Sequence, residues 1–442
     1  MSFKYIIKLI FAYIKKFKAI IIFGIAIGVI LFALLNLLIP KITQSKKQTI
    51  GITGRFRPDD LPQGILILIS QGLTSLDGSN LIPSLAESWE TPDKGKTWIF
   101  KIKDNIYWQD GTEVKSYDIN YDFSDVSIER PDEKTIKFVL EKGPYSPFPS
   151  VLTKPIFKKG LLGTGEWKVK KISVNNAYVQ ELILESGKDI LDYKFYPTVD
   201  RTKLAFKLGK IDKIVNVADP TPFNSWNNTY IESSIEYSQI VTLFFNTKDE
   251  ILSDKSVRQA LFYAIDKKGF NYRAESPINP NSWAYNPQLK TYDFDQEKAK
   301  QLLDKLPNEM RNNFEIKLIS TPTLLPIAEE ILSDWEKVGI KSQILVSSII
   351  PTEFQAFLTV FEIPNDPDQY PIWHSTQNET NISNFENPRI DKLLEDGRIE
   401  LAIEKRREIY LEFQRFLLEE LPAAFLYHPN VYTISRLKLF DI

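Results

Sequence analysis

The sequence contains no cysteine and only two histidines among its 442 residues, His374 and His428. Without cysteine the chain cannot form disulfides, use a thiolate nucleophile, bind a metal through sulfur or carry a lipid on a thiol. Two histidines exclude a histidine-rich metal centre, so the sequence predicts no metal site and no cofactor. It also lacks Gly-x-Ser-x-Gly, His-Glu-x-x-His, and Ser-x-x-Lys together with its partner motifs. We therefore expect no catalytic residues and no enzyme.

The chain also has little net charge. Its 55 lysines and arginines nearly balance 57 aspartates and glutamates, which leaves −2 at pH 7. Because nucleic-acid-binding domains carry basic patches, we expect no nucleic-acid partner. A content of 43% apolar and 25% charged residues is typical of a folded globular chain, and this length favours two or more lobes over one core. The 12% aromatic content fits either an aromatic-lined cavity or core packing.

One long uncharged run lies near the N-terminus, at residues 19–39, where Asn36 is the only clearly polar side chain. As a helix such a run is about 30 Å long, which matches the hydrocarbon core of a bilayer. No small-x-small cleavage site follows it, so the run predicts an uncleaved transmembrane anchor rather than a signal peptide. Residues 1–18 are then a cytoplasmic basic lead-in and residues 40–50 a tether, with everything later outside the membrane. The lysines before the run are Lys4, Lys8, Lys15, Lys16 and Lys18.

Beyond the tether the pattern changes once along the chain. Up to about residue 240 it predicts short strands and turns; Trp98, Phe100 and Ile102, for example, alternate with polar residues and indicate a strand with one buried face. After about residue 242 it predicts helices followed by strands, including helices over 254–265 and 325–338. A closing strand is expected over about 424–434. The architecture that fits is α/β, with two lobes and a ligand cleft between them.

Several short segments resemble one known family and occur in its order. Together they are similar to the extracellular solute-binding proteins, family 5, which serve peptide and nickel ABC importers. They cover roughly residue 81 to the C-terminus. The segments are 85–89 (LAESW), 95–102 (GKTWIFKI), 108–114 (WQDGTEV), 162–167 (LGTGEW), 208–212 (LGKID), 244–247 (FFNT), 257–261 (VRQAL), 366–368 (DPD) and 387–394 (NPRIDKLL).

The resemblance implies the two-lobed type II (cluster C) periplasmic-binding-protein fold. Lobe I would comprise residues 51–240 plus 425–442, and lobe II residues 241–424. The lobes would close on ligand about two hinge strands, near 240–246 and 425–434, and the closed form would be read by an ABC permease.

Two departures from the family pattern bear on the ligand. Only about a dozen residues separate Tyr121 from Lys134, which indicates a trimmed middle domain. In the peptide-binding members an aspartate just before the Asp-Pro-Asp run holds the peptide amino group, and that position corresponds to Ile363 or Pro364 here. Capture of an ammonium group would then fall to Asp366 or Asp368, or would not occur.

The candidate ligand-binding residues lie in three segments: Phe244 and Asn246, Trp283 and Tyr285, and Asp366 and Trp373. Each also has a structural reading. Asn246 could bond ligand main chain or the hinge backbone, the aromatic rings could contact ligand or pack, and Asp366 could pair with a cationic ligand or form a turn. Arg258, at a helix start, is expected to make structural bonds.

Together these features predict a membrane-anchored extracytoplasmic protein that captures a peptide or similar small ligand and presents it to ABC permease subunits. The alternative is a surface-anchored peptide-binding sensor or chaperone-like module without a transporter.

Overall fold

The structure is a computed structural model that describes residues 15–20, 22–34, 47–307 and 315–436. Residues 1–14 of the predicted lead-in, 21 and 35–39 of the predicted span, 40–46 of the predicted tether and 308–314 of predicted lobe II lie outside the described residues. So do residues 437–442 of predicted lobe I.

The N-terminal apolar run is helical. Helix α1 (Lys15–Leu34) is 20 residues long, and its most apolar stretch has a mean hydropathy of 2.7 and contains no buried residue. It starts four residues before the predicted span. Its length and composition suit a membrane anchor or a signal sequence.

The first part of the chain builds a seven-stranded sheet in the order β12-β18-β11-β1-β10-β9-β8. β1 runs parallel to β10 and β11, whereas β18 is antiparallel to β11 and β12. The last strand of the chain therefore returns to the sheet in which the first strand lies. The strands are β1 (Lys47–Thr53), β8 (Lys168–Asn175), β9 (Tyr178–Ser186), β10 (Asp189–Tyr196), β11 (Lys213–Val217), β12 (Thr229–Ile235) and β18 (Asn430–Arg436).

Two short helices cover this sheet. Helix α2 (Gln63–Ile69) buries Ile65 and Ile69, and α4 (Val199–Lys207) buries Ala205 and Phe206. Thr198 caps α4 by accepting a hydrogen bond from the Arg201 backbone N–H.

A smaller unit lies between β1 and β8 in sequence. Its four-stranded sheet has the order β4-β5-β7-β6, and a separate hairpin joins β2 to β3. Trp98, Phe100 and Ile102 are buried on one face of β5, which confirms the predicted alternation. The elements are β2 (Thr74–Asp77), β3 (Asn80–Pro83), β4 (Ala86–Glu90), β5 (Thr97–Ile102), β6 (Val126–Asp132), β7 (Thr135–Leu140) and helix α3 (Phe148–Val151).

The second part of the chain forms a five-stranded sheet in the order β15-β14-β16-β13-β17, with helices packed on it. The strands are β13 (Gln239–Phe245), β14 (Glu315–Ser320), β15 (Lys341–Val346), β16 (Ala356–Glu362) and β17 (Ala423–Tyr427). The helices are α5 (Lys255–Ala264), α6 (Gln296–Leu303), α7 (Leu325–Lys337), α8 (Tyr370–Trp373), α9 (Pro388–Ile399) and α10 (Ile403–Glu420).

The predicted helices near residues 254–265 and 325–338 are confirmed. Asp254 caps α5 through the Ser256 N–H, and the apolar face of α5 is buried as its spacing predicts. Arg258 is 3% exposed and donates to the carbonyls of Leu252 at 2.7 Å and Leu421 at 3.0 Å. Its role is to satisfy backbone acceptors, as expected.

The chain passes between the two large sheets at residues 236–238 and 428–429. The first predicted hinge strand lies near residues 240–246. In the structure this segment is β13, which is hydrogen-bonded to β16 on one edge and to β17 on the other, so it is held inside one sheet and does not link the two sheets. Residues 425–434 likewise divide into β17 and β18, which belong to different sheets. The two crossings are adjacent, since the Glu236 N–H donates to the Pro429 carbonyl at 2.9 Å.

His428 lies in the second crossing. It is 2% exposed, packs edge-on against Tyr237 with ring centroids 5.1 Å apart, and donates from Nδ1 to the Gln239 carbonyl at 2.8 Å. Burial lowers the pKa of this imidazole from its ordinary value of 6.5, so the folded protein prefers the neutral ring.

We expect acidification to weaken the crossing through His428. Because the folded pKa is lowered, the stabilisation is fully present above pH 6.5 and is lost as the pH falls below it. His428→Asn keeps a donor for the Gln239 carbonyl but does not titrate. Thermal unfolding at pH 7.5 and pH 5.5 should therefore show a smaller acid destabilisation in His428→Asn than in the parent. An equal loss in both proteins would contradict this role.

Candidate ligand cleft

A cavity of about 330 Å³ lies between the small four-stranded unit and the second part of the chain. The small unit contributes Leu81, Trp89 and Trp98, and the other side contributes Trp283 and Arg406. Indole rings thus line the cavity from both sides. Its remaining lining residues are Leu76, Ser79, Asn80, Ser146, Pro147, Pro149, Ser150, Asn365, Asp366, Glu400, Leu401 and Ile403.

The loop that carries Trp283 is fixed by helix α10. Buried Gln414 donates to the Ala284 carbonyl at 2.8 Å and accepts from the Asn286 N–H at 3.1 Å. Arg407 donates to the carbonyl of Trp283 itself at 3.0 Å. The indole is therefore presented to the cavity by a loop that is bonded on both sides, which favours a preformed aromatic wall.

Asp366 also lines the cavity, but its charge is already compensated. Arg406 donates to it from both terminal nitrogens, one bond at 3.0 Å to Oδ2 and one to Oδ1. The two side chains are 16% and 8% exposed. Arg406 also lies over the Trp283 ring at 5.4 Å. Because the carboxylate is held by a fork of two bonds, ammonium capture by Asp366 would require breaking a buried ion pair.

Asp368 is engaged in a similar way. Its Oδ2 accepts from Arg398 Nε at 3.0 Å and from the Tyr145 hydroxyl at 3.1 Å. Arg398 stacks between the rings of Tyr145 and Tyr370, at 4.9 and 4.1 Å. The Ser146 N–H adds a bond to the Arg398 carbonyl at 2.7 Å.

We call Tyr145, Asp368 and Arg398 the 145–398 bridge. Tyr145 belongs to the small unit and the other two to the five-stranded part, so the bridge ties both sides of the cavity together. Burial, with a smaller effect of Asp368, raises the pKa of Tyr145 and keeps its hydroxyl a donor. Tyr145 and Arg398 also line a second cavity of about 510 Å³, alongside Phe123, Phe148 and Gln377.

Two predicted ligand contacts need correction. Phe244 and Trp373 are fully buried and stack on each other at 6.0 Å, within the core under α9 and α10. The reason is that both faces of β13 are covered, since Leu243 and Phe245 lie in one hydrophobic core and Phe244 lies in another. Trp373 Nε1 donates to Gln369 at 3.0 Å, which satisfies its only polar atom. These rings support the wall and do not reach the cavity.

Asn246 and Tyr285 also lie away from the cavity. Asn246 donates to the Phe354 carbonyl at 2.9 Å and accepts from the Lys248 N–H at 3.2 Å and from Asn384 at 3.1 Å. These bonds agree with the structural reading of Asn246. Tyr285 is half-buried against the same core as Phe244, and burial raises its pKa.

Of the six candidates the structure therefore brings Trp283 and Asp366 together at the cavity. Sequence reasoning missed Trp89, Trp98 and Arg406. Trp98 was expected to be buried, and its position in β5 gives no sign that its ring edge reaches a cavity. Arg406 stands 40 residues from Asp366, so no local spacing could have paired them.

A family model matches this chain over residues 80–127 and 119–379, and its description is bacterial extracellular solute-binding proteins, family 5 Middle. The matched region exceeds half of the sequence. The chain belongs to family 5 of the bacterial extracellular solute-binding proteins.

Curated relatives of this family 5 protein are named as binding proteins. The oligopeptide-binding protein AppA of Bacillus subtilis is 26% identical over 462 positions, which cover 85% of this chain and 83% of AppA. The dipeptide-binding protein of Escherichia coli is 24% identical, and the alignment covers 81% of this chain and 83% of that protein. The heme-binding protein A of Haemophilus influenzae is 25% identical, with 81% and 80% covered. Since 462 positions exceed the 442 residues here, AppA has insertions that this chain lacks.

Solved structures support the predicted fold. NikZ from Campylobacter jejuni, in complex with Ni(L-His), superposes with a TM-score of 0.71 at 22% identity, covering 89% of this chain and 94% of NikZ. CtaP from Listeria monocytogenes gives 0.74 at 19% identity, with 89% and 94% covered. The two-lobed type II fold is thereby confirmed, and with it the mixed α/β class.

The buried ion pair predicts a large loss of stability on removal of one partner. Asp366→Ala leaves the guanidinium of Arg406 buried without its carboxylate, which should lower the free energy of unfolding by about 3–5 kcal/mol. Glu412→Ala is the matched control, because its pair with Arg389 spans 2.8 Å at 40% and 60% exposure. We expect a loss within about 1 kcal/mol there, measured by urea unfolding. Equal stability of both variants would show that Asp366 is not a structural anchor.

The 145–398 bridge predicts a measurable bias toward closure. Tyr145→Phe removes the hydroxyl that reaches Asp368 and should raise the open-to-closed ratio by about tenfold or more, since a hydrogen bond to a charged group contributes about 1.5–3 kcal/mol. Single-molecule FRET between labels at Glu87→Cys and Glu408→Cys reports the distance across the cavity, and the chain has no native thiol to compete.

Tyr370→Phe is the control for this measurement. Its hydroxyl contacts Thr376 at 3.3 Å within the same part of the chain, so its loss should leave the ratio unchanged. An unchanged distance distribution in Tyr145→Phe would contradict the bridge.

Proposed function

We propose that this chain is a membrane-anchored, extracytoplasmic binding protein that captures a peptide or similar small ligand between its lobes and presents it to an ABC permease. The observation that carries the proposal is the indole-lined cavity formed jointly by the two sides of a family 5 protein. Relatives named for oligopeptide and dipeptide binding support the ligand class.

The lining favours recognition of a ligand through its backbone and apolar side chains. Asp366 and Arg406 neutralise each other, and the polar groups around them include Ser79, Asn80 and Ser146. Hydroxyl and amide groups can bond peptide N–H and carbonyl groups without a fixed charge, while the indole rings cover apolar surface. Glu400 is a further lining carboxylate, which accepts from the Ala402 N–H at 2.8 Å, so an ammonium group in the cavity would meet Glu400 rather than Asp366.

The lobe division that we propose follows the sheets. The sequence predicts residues 51–240 plus 425–442 as lobe I, which includes the small unit, and residues 241–424 as lobe II. Sheet pairing moves both bounds slightly, because β13 from Gln239 and β17 as far as Tyr427 pair within the lobe II sheet, which favours boundaries at 236–238 and 428–429. Closure about the crossings at 236–238 and 428–429 would bring the two indole walls together over a ligand.

Closure also supplies a reason for a permease to distinguish the loaded state. The surface around the cavity comes from both lobes, so its shape depends on their separation. The 145–398 bridge stabilises the closed arrangement, and a bound ligand would add contacts that exist only there. Helix α1 would hold the protein at the membrane where the permease lies.

Removal of the Trp283 ring should weaken ligand binding. We expect Trp283→Ala to raise the Kd of a bound peptide by about tenfold or more, as for a buried aromatic contact. Isothermal calorimetry with di-, tri- and pentapeptides of alanine measures it on the full chain in detergent. Tyr117→Ala is the control, because Tyr117 is 58% exposed and does not line the cavity.

Two outcomes would contradict the proposal. One is an equal Kd in the parent and Trp283→Ala for a peptide that binds the parent. The other is the absence of heat from every peptide, together with no thermal shift across a broader peptide library.

A further inference from the structure

One end of the seven-stranded sheet is where the chain enters lobe I from the N-terminal helix. β1 begins there with Lys47, next to Ile190 of β10. β11 runs in the same direction and begins with Lys213 beside Ile50, three residues further along β1; β18 finishes near this end, because Lys213 lies opposite Ser435. We call this the anchor-side end.

The lobe crossings lie at the other end of the sheet. β12 begins at the anchor-side end with Thr229, opposite Arg436, and finishes with Ile235, opposite Asn430, immediately before the crossings. Seven residues of strand span roughly 20 Å. Lobe I is therefore joined to α1 at one end and to lobe II at the other.

Helix α4 brings exposed leucines to the anchor-side end. The helix follows β10 and runs back along the sheet, and the turn after it is bonded to β1 through the Asp212 N–H and the Thr49 carbonyl at 2.8 Å. Leu204 and Leu208, one turn apart, are 53% and 61% exposed. Two leucine side chains left in water contribute no hydrophobic stabilisation to the folded lobe.

The same end carries an excess of positive charge. Lys188, Lys207 and Lys210 are exposed. The acidic groups nearby are largely occupied: Asp192 is 2% exposed and pairs with Lys47 at 3.0 Å, and Asp212 accepts a bond from the Thr49 N–H at 3.3 Å. Asp189 and Glu166 are the exposed carboxylates of this end, where Glu166 accepts from the Ser186 hydroxyl at 2.6 Å, and Glu185 pairs with Lys170 at 2.8 Å. The excess is local, because the whole chain has a net charge of −2.

The sequence limits how far this end can lie from a bilayer. If the span ends at Ile39, eight Cα–Cα steps lead to Lys47, and a fully extended chain covers at most about 28 Å over them. A tether of this length lets the anchor-side end touch the bilayer surface, where anionic headgroups attract cations within about 10 Å and apolar side chains enter the interface.

We propose that the anchor-side end of lobe I rests on an anionic bilayer surface. Lys188, Lys207 and Lys210 contact lipid phosphate, and Leu204 and Leu208 enter the headgroup region. The proposal rests on α1 being a permanent anchor, as in the proposed function. It fixes lobe I on the membrane, with the crossings and lobe II directed away from it.

Two single cysteines test the orientation, since the parent has no thiol. Asn228→Cys lies beside the start of β12 at the anchor-side end, and Ser234→Cys lies near its other end; both positions are exposed. The full chain is reconstituted in phosphatidylcholine vesicles with or without phosphatidylglycerol. A fluorophore on each cysteine is then quenched by nitroxide-labelled headgroups. We expect stronger quenching at 228 than at 234, and a larger difference with phosphatidylglycerol.

Matched variants distinguish a specific effect of the anchor-side end from a general effect of the protein's charge. Lys207→Gln with Lys210→Gln should weaken docking about 30-fold, because each lysine near an anionic surface contributes about a factor of five, and high salt should act similarly. Leu204→Ser with Leu208→Ser should reduce quenching at 228 without removing its dependence on lipid charge. Lys300→Gln with Lys305→Gln, exposed lysines of lobe II, should change nothing.

The outcomes distinguish this surface from the anchor itself. Extraction of the protein by alkaline carbonate would overturn both the anchor and this proposal. Retention with equal quenching at 228 and 234 would overturn this proposal alone and leave the anchor standing. A difference that appears only when permease subunits are added to the vesicles would also overturn it, and would assign the surface to protein docking.

Discussion

The structure depends on one constraint. The chain crosses between its two large sheets at only two points among the described residues, and these points are adjacent. Residues 236–238 and 428–429 lie side by side, tied by the bond from the Glu236 N–H to the Pro429 carbonyl. On either side the strands belong to separate sheets with separate hydrophobic cores. So narrow a connection leaves the relative position of the lobes to contacts made elsewhere, and those contacts lie at the cavity.

The contacts that join the lobes are polar, whereas the cavity wall where a ligand would lie is rich in aromatic rings. Asp368 is shared between Arg398 and Tyr145, so the bridge is charge-compensated and can separate without leaving an isolated charge behind. Asp366 and Arg406 are paired within lobe II and shape the wall beside Trp283. The cavity therefore offers a ligand indole surface, neutral polar groups and the carboxylate of Glu400.

The fold could be read from the sequence to a large extent, because its signals are local. Alternation in β5, the cap at Asp254 and the order of the family segments each depend on residues close in the chain. The site could not be read to the same extent. Phe244 and Trp373 stand in the expected segments, yet β13 has sheet partners on both edges and places the ring of Phe244 in a core. Arg406 contacts Asp366, and Tyr145 contacts Asp368, only because elements distant in sequence pack together. Residue spacing along the sequence cannot predict such contacts.

Identification of the molecules carried by the purified protein tests the central claim most directly. The full chain, extracted from its own membranes with detergent, would be denatured and the released small molecules analysed by mass spectrometry beside Trp283→Ala prepared in parallel. The cleft described above predicts a defined set of peptides from the parent and a marked depletion of that set from the variant. Release of no such molecules from the parent, or of the same set in equal amount from both proteins, would contradict a ligand cleft at Trp283.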